Sequence, residues 1–356
     1  MLSAKQREAI GALPVKEGGV RLMEVCGTHT MAIARAGIRQ MLPEGAKLLS
    51  GPGCPVCVTH QGVIDAFLEL SMLPQVTIAT YGDMIRVPGS RRGDNLARRR
   101  ALGAKIEVVY SPVDAVAYAK EHPERQVVFL GVGFETTAPG TAAAVLTARE
   151  EGVENFFVLS MLKRVEPALR ALVAMEDFQV DGFLCPGHVA TILGEEGFRY
   201  LPEELHIPAV IGGFEPEDIL TALCHLLRQT AEGEAKLENE YRRAVRPGGN
   251  PAALAMMERV LVPRDDLWRG LGFIPQSGYG FREEFAPWDA EKKFDLQVKE
   301  SATIPGCSCG EIMKGRLHPH QCPLFGKVCT PEDPVGPCMV SSEGACAAAY
   351  KYRDFR

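Results

Sequence analysis

The chain has 356 residues, a net charge of −6, 46% apolar residues and 24% charged ones, a globular composition. The acidic balance excludes a general nucleic-acid binder. No apolar run reaches the ~18 residues of a membrane span, and the start, MLSAKQREAIGALP, reads as a short amphipathic helix without a signal-peptide core. A cytoplasmic protein is expected, so its 11 cysteines point to metal, cluster or redox chemistry rather than to a structural disulfide framework.

The length predicts two or three domains. Residues 20–230 repeat one rhythm: an apolar, β-branched run, a Gly/Pro turn, then a helical pattern. Arg21–Val25 leads to Cys26-Gly27-Thr28-His29-Thr30 and a helix through Ile38. Leu48–Leu49 leads to Gly51-Pro52-Gly53, then Cys54 and Cys57, with a helix opening at Thr59. Val76–Tyr81 leads to Gly82-Asp83. The basic run Arg91, Arg92, Arg98, Arg99 and Arg100 reads as a solvated helix face or a local anion site. Ile106–Tyr110, Val127–Leu130, Phe156–Ser160, Gly182–Leu184 and Ala209–Ile211 are the remaining strands. Strands alternating with helices predict parallel βαβ units, too many for one sheet. Two similar parallel-sheet α/β domains around a cleft are expected. Gly133-Phe134-Glu135 and Gly213-Phe214-Glu215, each after an apolar strand, hint at duplication.

In open parallel sheets, sites lie at the carboxyl ends of strands. Cys26, His29, Cys54, Cys57, Asp83, Glu135, Thr136, His188 and Glu215 all fall on loops that follow strands. A lone glutamate there is ordinarily a helix N-cap partner, and Cys224 reads as a core thiol. Cys54 and Cys57 sit at a helix start, where free N–H groups and the helix dipole favour the thiolate. Their spacing suits a dithiol/disulfide pair or two ligands of a soft metal; a zinc half-site or two buried thiols are the plainer readings. Gly131-Val132-Gly133 is not completed to G-x-G-x-x-G and no Walker loop occurs, which disfavours nucleotide chemistry.

From about residue 230 the rhythm stops. Glu232–Val245 reads as a charged helix, broken at Arg246–Pro251; a helix to about Val260 follows, then an irregular aromatic segment, Trp268–Trp288. Boundaries of 20–140, 141–245 and 246–356 are expected. The N-terminal part of the first domain is free to join the second, and 1–19 packs on the last region. The last fifty residues hold Cys307, Cys309, Cys322, Cys329, Cys338 and Cys346. They lack the paired C-x-x-C knuckles of a zinc ribbon. Four thiols on irregular spacing favour an iron–sulfur cluster over a four-thiolate zinc site, and two remain to form a disulfide beside it.

Cys-Gly-Thr-His-Thr (26–30), Gly-Pro-Gly-Cys-Pro-Val-Cys (51–57), Gly-Phe-Glu-Thr-Thr (133–137), Cys-Pro-Gly-His-Val (185–189) and the tail motifs Cys-Pro-Leu-Phe-Gly-Lys-Val-Cys-Thr-Pro and Gly-Pro-Cys-Met-Val-Ser-Ser-Glu-Gly-Ala-Cys together resemble the HypD family of nickel–iron hydrogenase maturation factors. The resemblance covers essentially the whole chain. It implies a scaffold that, with HypC, holds iron while two cyanides and one carbon monoxide are attached. The cyanide group comes from HypE, with HypF upstream, and the Fe(CN)2CO unit then passes to the hydrogenase large-subunit precursor.

The resemblance also implies a 4Fe–4S cluster on Cys307, Cys322, Cys329 and Cys346, through a C-x14-C-x6-C-x16-C spacing. Cys309 and Cys338 are left as a redox pair, an arrangement similar to ferredoxin:thioredoxin reductase. On this reading Cys26, Cys54 and Cys57 handle the iron being assembled, and His29 is a ligand or proton donor. Glu135 and His188 manage protons in the cleft. The alternatives are a stand-alone iron–sulfur-dependent disulfide reductase and a structural zinc protein that binds partners.

Overall fold

The structure is a computed structural model that describes residues 10–298 and 304–353. Residues 1–9, most of the amphipathic stretch expected at the N-terminus, lie outside it. Two parallel sheets organise the chain. The first has the order β2-β1-β7-β8-β9: β1 is Val20–Glu24, β2 Ala46–Ser50, β7 Gly182–Pro186, β8 Ala209–Gly212 and β9 Leu237–Asn239. The second has the order β4-β3-β5-β6: β3 is Val76–Thr80, β4 Lys105–Val108, β5 Gln126–Gly133 and β6 Phe156–Leu162. Helices between parallel strands cover the sheets, so central strands carry apolar residues on both faces. Every residue of central strand β3 is buried, and so is every residue of β6, an edge strand covered by the segment around Asp289.

Register decides which loops meet. Parallel pairing sets Glu24 of β1 opposite Ser50 of β2, so the Cys26 loop and the Gly51–Cys57 loop leave the sheet side by side. Glu24 also pairs with Leu184, and Pro186 pairs with Gly212. The His188 and Phe214 loops therefore leave the same edge.

The sheets do not divide at residue 140. β6 pairs with β5 over Val127↔Phe156 to Gly133↔Leu162, and β1 and β2 sit in the same sheet as β7–β9. The chain thus starts the five-stranded sheet, leaves it to build the four-stranded one, and returns. A strand apolar on both faces carries no mark of which sheet it will enter.

Two segments differ from expectation. Helix Pro216–Glu232 ends at Gly233, in the left-handed region with φ 69°. The stretch read as a charged helix over 232–245 instead supplies edge strand β9, which bonds through backbone and needs little apolar surface. The segment read as irregular contains an antiparallel hairpin, β10 (Leu261–Trp268) and β11 (Gly272–Phe281). Pro263, Arg264, Asp265 and Asp266 hide the alternation there. Arg264 and Asp266 are anchored inward, Arg264 Nη2 donating to the Ser160 carbonyl at 2.8 Å and Lys163 Nζ to Asp266 Oδ2 at 2.6 Å. The described part of 1–19 packs on the five-stranded sheet, not on the last region: Ile10 is buried with Val20, Leu22, Ile33 and Leu48.

Residues 304–353 have short α-helices at Cys309–Met313 and Ala345–Tyr352, single 3-10 turns at Pro319–Gln321 and Pro337–Met339, and otherwise turns and loops. Helix Ala345–Tyr352 packs on helix Gly27–Ala36. Arg21 Nη2 donates to the Gly315 carbonyl at 2.8 Å, Arg92 pairs with Asp333 at 2.6 Å, and Arg86 donates to the Pro331 carbonyl. The segment therefore straddles loops of both sheets. Its buried cysteines join one continuous core with Met23, Leu49, Cys54, Cys57 and Phe67.

Candidate functional site

Cys26 is the N-cap of helix Gly27–Ala36, in extended backbone. Its sulfur faces the backbone amides of His29 and Thr28, as a helix N-terminus dictates. Those amides favour the thiolate, but burial dominates. With Glu343 and then Glu24 nearby, it pushes the Cys26 thiol up to about 12. Behind it Glu24 is fully buried. Its carboxylate accepts the Cys26 amide at 3.2 Å and the Thr30 hydroxyl at 2.6 Å, and burial raises it to about 7.

The second thiol loop is pressed onto the first. A Cβ at Gly53 would stand 2.3 Å from the Cys26 nitrogen and from the Val25 carbonyl carbon, so only glycine permits this approach. The Gly27 amide donates to the Gly53 carbonyl at 3.2 Å. Cys54 caps the short helix Pro55–Val58, its sulfur accepting the Cys57 amide at 3.1 Å. Cys54 and Cys57 are disulfide-bonded, with Cα atoms 5.2 Å apart. The helix expected to open at Thr59 runs Gln61–Leu70 instead, and the thiols belong to a separate short helix that Cys54 caps, that contains Cys57 and that ends at Thr59; of the dithiol and disulfide forms expected for the pair, the disulfide is the one present.

A third segment closes over both loops: Ser341-Ser342-Glu343, between Cys338 and Cys346. The Ser341 hydroxyl lies 3.4 Å from Cys54 Sγ. Thr28 Oγ1 donates to Glu343 Oε1 at 2.7 Å, and a Cβ on Gly27 would collide with Glu343 at 2.3 Å. The Ser342 amide and hydroxyl donate to Asp83 Oδ2 at 3.0 and 2.6 Å. Cys26, Cys54 and Cys57 are consequently 8%, 6% and 1% exposed.

His29 is fully buried and points elsewhere. Its Nε2 lies 2.8 Å from the Gly213 carbonyl, so Nε2 carries the proton, and Nδ1 has no partner. Burial lowers it to about 4, so the ring is neutral. Its ring lies 4.6 Å from Phe214, whose ring stacks at 3.9 Å on exposed His188. Glu135 lies apart as well: Oε1 accepts the Val165 amide at 2.9 Å, Oε2 has no partner, and burial raises it to about 7. The side-chain contacts of His29, His188 and Glu135 thus run to the β8 end and to helix Val165–Val173 rather than to the sulfurs. Glu215 caps helix Pro216–Glu232, its ordinary role.

Among the tail thiols, Cys309 Sγ lies 3.2 Å from Cys307 Sγ and touches the Cys346 side chain. Cys309 therefore sits between two expected cluster ligands, and both Cys309 and Cys338 are free thiols. Cys329 Sγ accepts the Val335 amide at 3.4 Å. A single tetrahedral zinc with ~2.3 Å bonds would draw its thiols to within about 4 Å of one another. Among the described residues no three tail thiols lie within 4.8 Å; the one such group of donors is His225, Glu238 and Glu240.

Thiols spaced more widely than one tetrahedral ion allows would suit a larger sulfur-ligated group, and a buried cation lies near them. Arg269 is 5% exposed; burial lowers it, and Cys309, Cys338, Cys307 and Asp65 are the titratable groups around it. Sequence reading missed Arg269, Glu24, Ser341 and Glu343. The last two stand inside a quoted tail motif, whereas a lone arginine in an aromatic stretch gives no signal.

The family profile described as the HypD "Hydrogenase formation hypA family" matches residues 2–353. The chain is 45% identical over 338 residues to "Hydrogenase maturation factor HypD" of Azotobacter vinelandii, covering 93% of this chain and 89% of that one. To the protein of the same name from Escherichia coli K12 it is 43% identical over 338 residues, 95% and 90% of the two chains. For that of Cupriavidus necator the figures are 44% over 341 residues, 94% and 90%. With matches across nearly its whole length, this chain belongs to the HypD family of hydrogenase maturation factors.

Proposed function

We propose that this chain is the scaffold on which, together with HypC, iron receives cyanide and carbon monoxide before passing to the large subunit of a nickel–iron hydrogenase. The observation that carries the reading is the junction of three thiol-bearing segments. The Cys26 loop is bonded to the Cys54–Cys57 loop and roofed by the stretch between Cys338 and Cys346. Iron is the cargo, and Cys26 is its principal ligand, shared with a thiolate of HypC. Soft thiolates suit low-spin ferrous iron with strong-field diatomic ligands. Binding iron would displace the Cys26 proton that burial otherwise retains, and the His29 and Thr28 amides then stabilise the sulfur charge. HypE, with HypF upstream, is the proposed source of cyanide.

Cys307, Cys322, Cys329 and Cys346 would hold a 4Fe–4S cluster, which when bound supplies single electrons. Cys54 and Cys57, once reduced, offer two further thiolates beside Cys26. Glu135 and His188 are proposed proton handlers at the margins of the site. The rival reading, a stand-alone disulfide reductase, is favoured by the Cys54–Cys57 disulfide itself. It needs a substrate thiol to reach that disulfide, just as the scaffold needs a HypC thiolate to reach Cys26, and all three sulfurs are buried under Ser341–Glu343; what favours the scaffold is the junction of Cys26 with that pair.

The test is anaerobic purification with HypC and the other maturation proteins co-expressed, followed by infrared spectroscopy of metal-bound cyanide and carbon monoxide. Bands that vanish in Cys26→Ala are expected. Their absence from the parent complex, alongside turnover of a disulfide without HypC, would replace the scaffold with the reductase.

A further inference from the structure

We infer that Arg269 is a positioning residue that ties the cysteine-rich segment to the C-x-x-C loop, its charge setting the redox poise of the tail and its hydrogen bonds fixing the backbone after Cys57. The inference rests on the proposed iron–sulfur reading of residues 304–353.

Arg269 begins the turn between β10 and β11. Its amide donates to the Val58 carbonyl at 2.9 Å, its Nε to the Thr59 carbonyl at 3.1 Å, and its Nη2 to Gln61 Oε1 at 2.6 Å. The neighbouring Trp268 bridges Thr59. The chain that leaves Cys57 is therefore held on one side chain. The other side of the turn is locked to the tail. A Cβ on Gly270 would stand 2.4 Å from Gly310 Cα, and one on Gly310 would stand 2.9 Å from Gly270 Cα. The two backbones thus touch directly at the start of helix Cys309–Met313.

A buried guanidinium without a counter-charge costs several kcal/mol. Around it lie Cys307, a proposed cluster ligand, and Cys309 and Cys338, the proposed redox pair. A cluster held in part by Cys307 would bring net negative charge close to this cation. A fixed positive charge favours adding an electron to such a centre, since net charge and hydrogen bonding set cluster potentials. The same residue then reports the charge of the tail to the loop that bears Cys54 and Cys57.

The experiment is a reduction titration with mediator dyes, followed by electron paramagnetic resonance, on anaerobically purified full-length protein after iron and sulfide counting. At the parent midpoint, Arg269→Met lowers the reduced-to-oxidised ratio about tenfold, ~59 mV for a one-electron couple. Arg269→Lys keeps the charge and returns the midpoint close to the parent's. Gln61→Met keeps the charge but removes the Nη2 partner. It leaves the midpoint unmoved while reduction of Cys54–Cys57 by dithiothreitol quickens severalfold.

A parent protein without iron and sulfide overturns the cluster reading itself. A clustered parent whose midpoint survives Arg269→Met overturns this inference alone, and an unchanged reduction rate in Gln61→Met overturns its loop half. If Arg269→Met retains no cluster, retention in Arg269→Lys sustains the charge role, and equal loss in both variants refutes it.

Discussion

The thiol loops at the sheet edge and the cysteine-rich tail are built on opposite principles. The loops of Cys26 and Cys54–Cys57 are held by backbone: paired strands, a helix start, and the close approach of Gly53 to Cys26. The tail has short helices and turns, and it is held by what it touches, namely Arg21, Arg86, Arg92, Thr28 and Asp83. One region is preorganised by the fold, whereas the other carries six thiols, three of them near a buried cation, and on the proposed reading a bound group completes it.

The strongest way to break this contrast is to remove the tail's proposed group. Cys329→Ala, or chelation of iron from the parent, should expose residues 304–353 to proteolysis at least about tenfold faster while the sheets stay folded, since local opening free energies differ across a molecule. Limited proteolysis read by mass spectrometry checks this. Cleavage spread evenly over the chain would show that the sheets depend on the group as much as the tail does.

A second perturbation addresses the buried acids at the strand ends of both sheets. Burial raises Glu135 from 4.5 to about 7, a shift equivalent to ~3 kcal/mol as an upper figure. Its folded value exceeds its unfolded one, so its stabilising effect is complete below pH 4.5 and is lost as pH rises to about 7. Glu24 follows the same sign over the same window. Glu135→Gln should flatten the decline in stability between pH 4.5 and 7 without abolishing it, because Glu24 remains. Urea midpoints at both ends of that window measure the slope, and an unchanged slope would place the charge penalty elsewhere.

Comparable in size is Gly53→Ala, expected to cost about 1–3 kcal/mol by overpacking and to part the two thiol loops. Denaturant unfolding at pH 7 gives the cost. A neutral substitution would mean that the contact between the loops is not what orders them. The smallest effect belongs to His188→Ala. Losing an exposed ring stacked on Phe214 should cost about 0.5–1 kcal/mol, and a larger loss would reveal a structural role that its exposure does not suggest.

The same contrast explains what could be read from sequence. Apolar run, glycine turn and helix recur because parallel strands demand them, so the loops of Cys26, Cys54, His188 and Phe214 were legible as strand ends. Sheet membership was not: β6 and β7 are both buried throughout, and nothing in such strands names their neighbours. β9 escaped because an edge strand of three residues bonds through backbone and carries little apolar pattern. The hairpin escaped because its charged residues turn inward, Arg264 to the Ser160 carbonyl and Asp266 to Lys163. His29 is a lesson in direction. Its spacing from Cys26 suggested a shared site, yet only its backbone amide faces the sulfur while its ring turns to Gly213.

The central claim is that the chain has two separate places for iron, cargo at Cys26 and a resident cluster in the tail. Mössbauer spectroscopy of the complex with HypC, purified anaerobically from cells grown on 57Fe, tests it most directly. The account predicts two iron populations, cluster iron and low-spin ferrous iron. Cys26→Ala should remove only the second, and Cys329→Ala should diminish the first. A single population lost together in both variants would contradict the account.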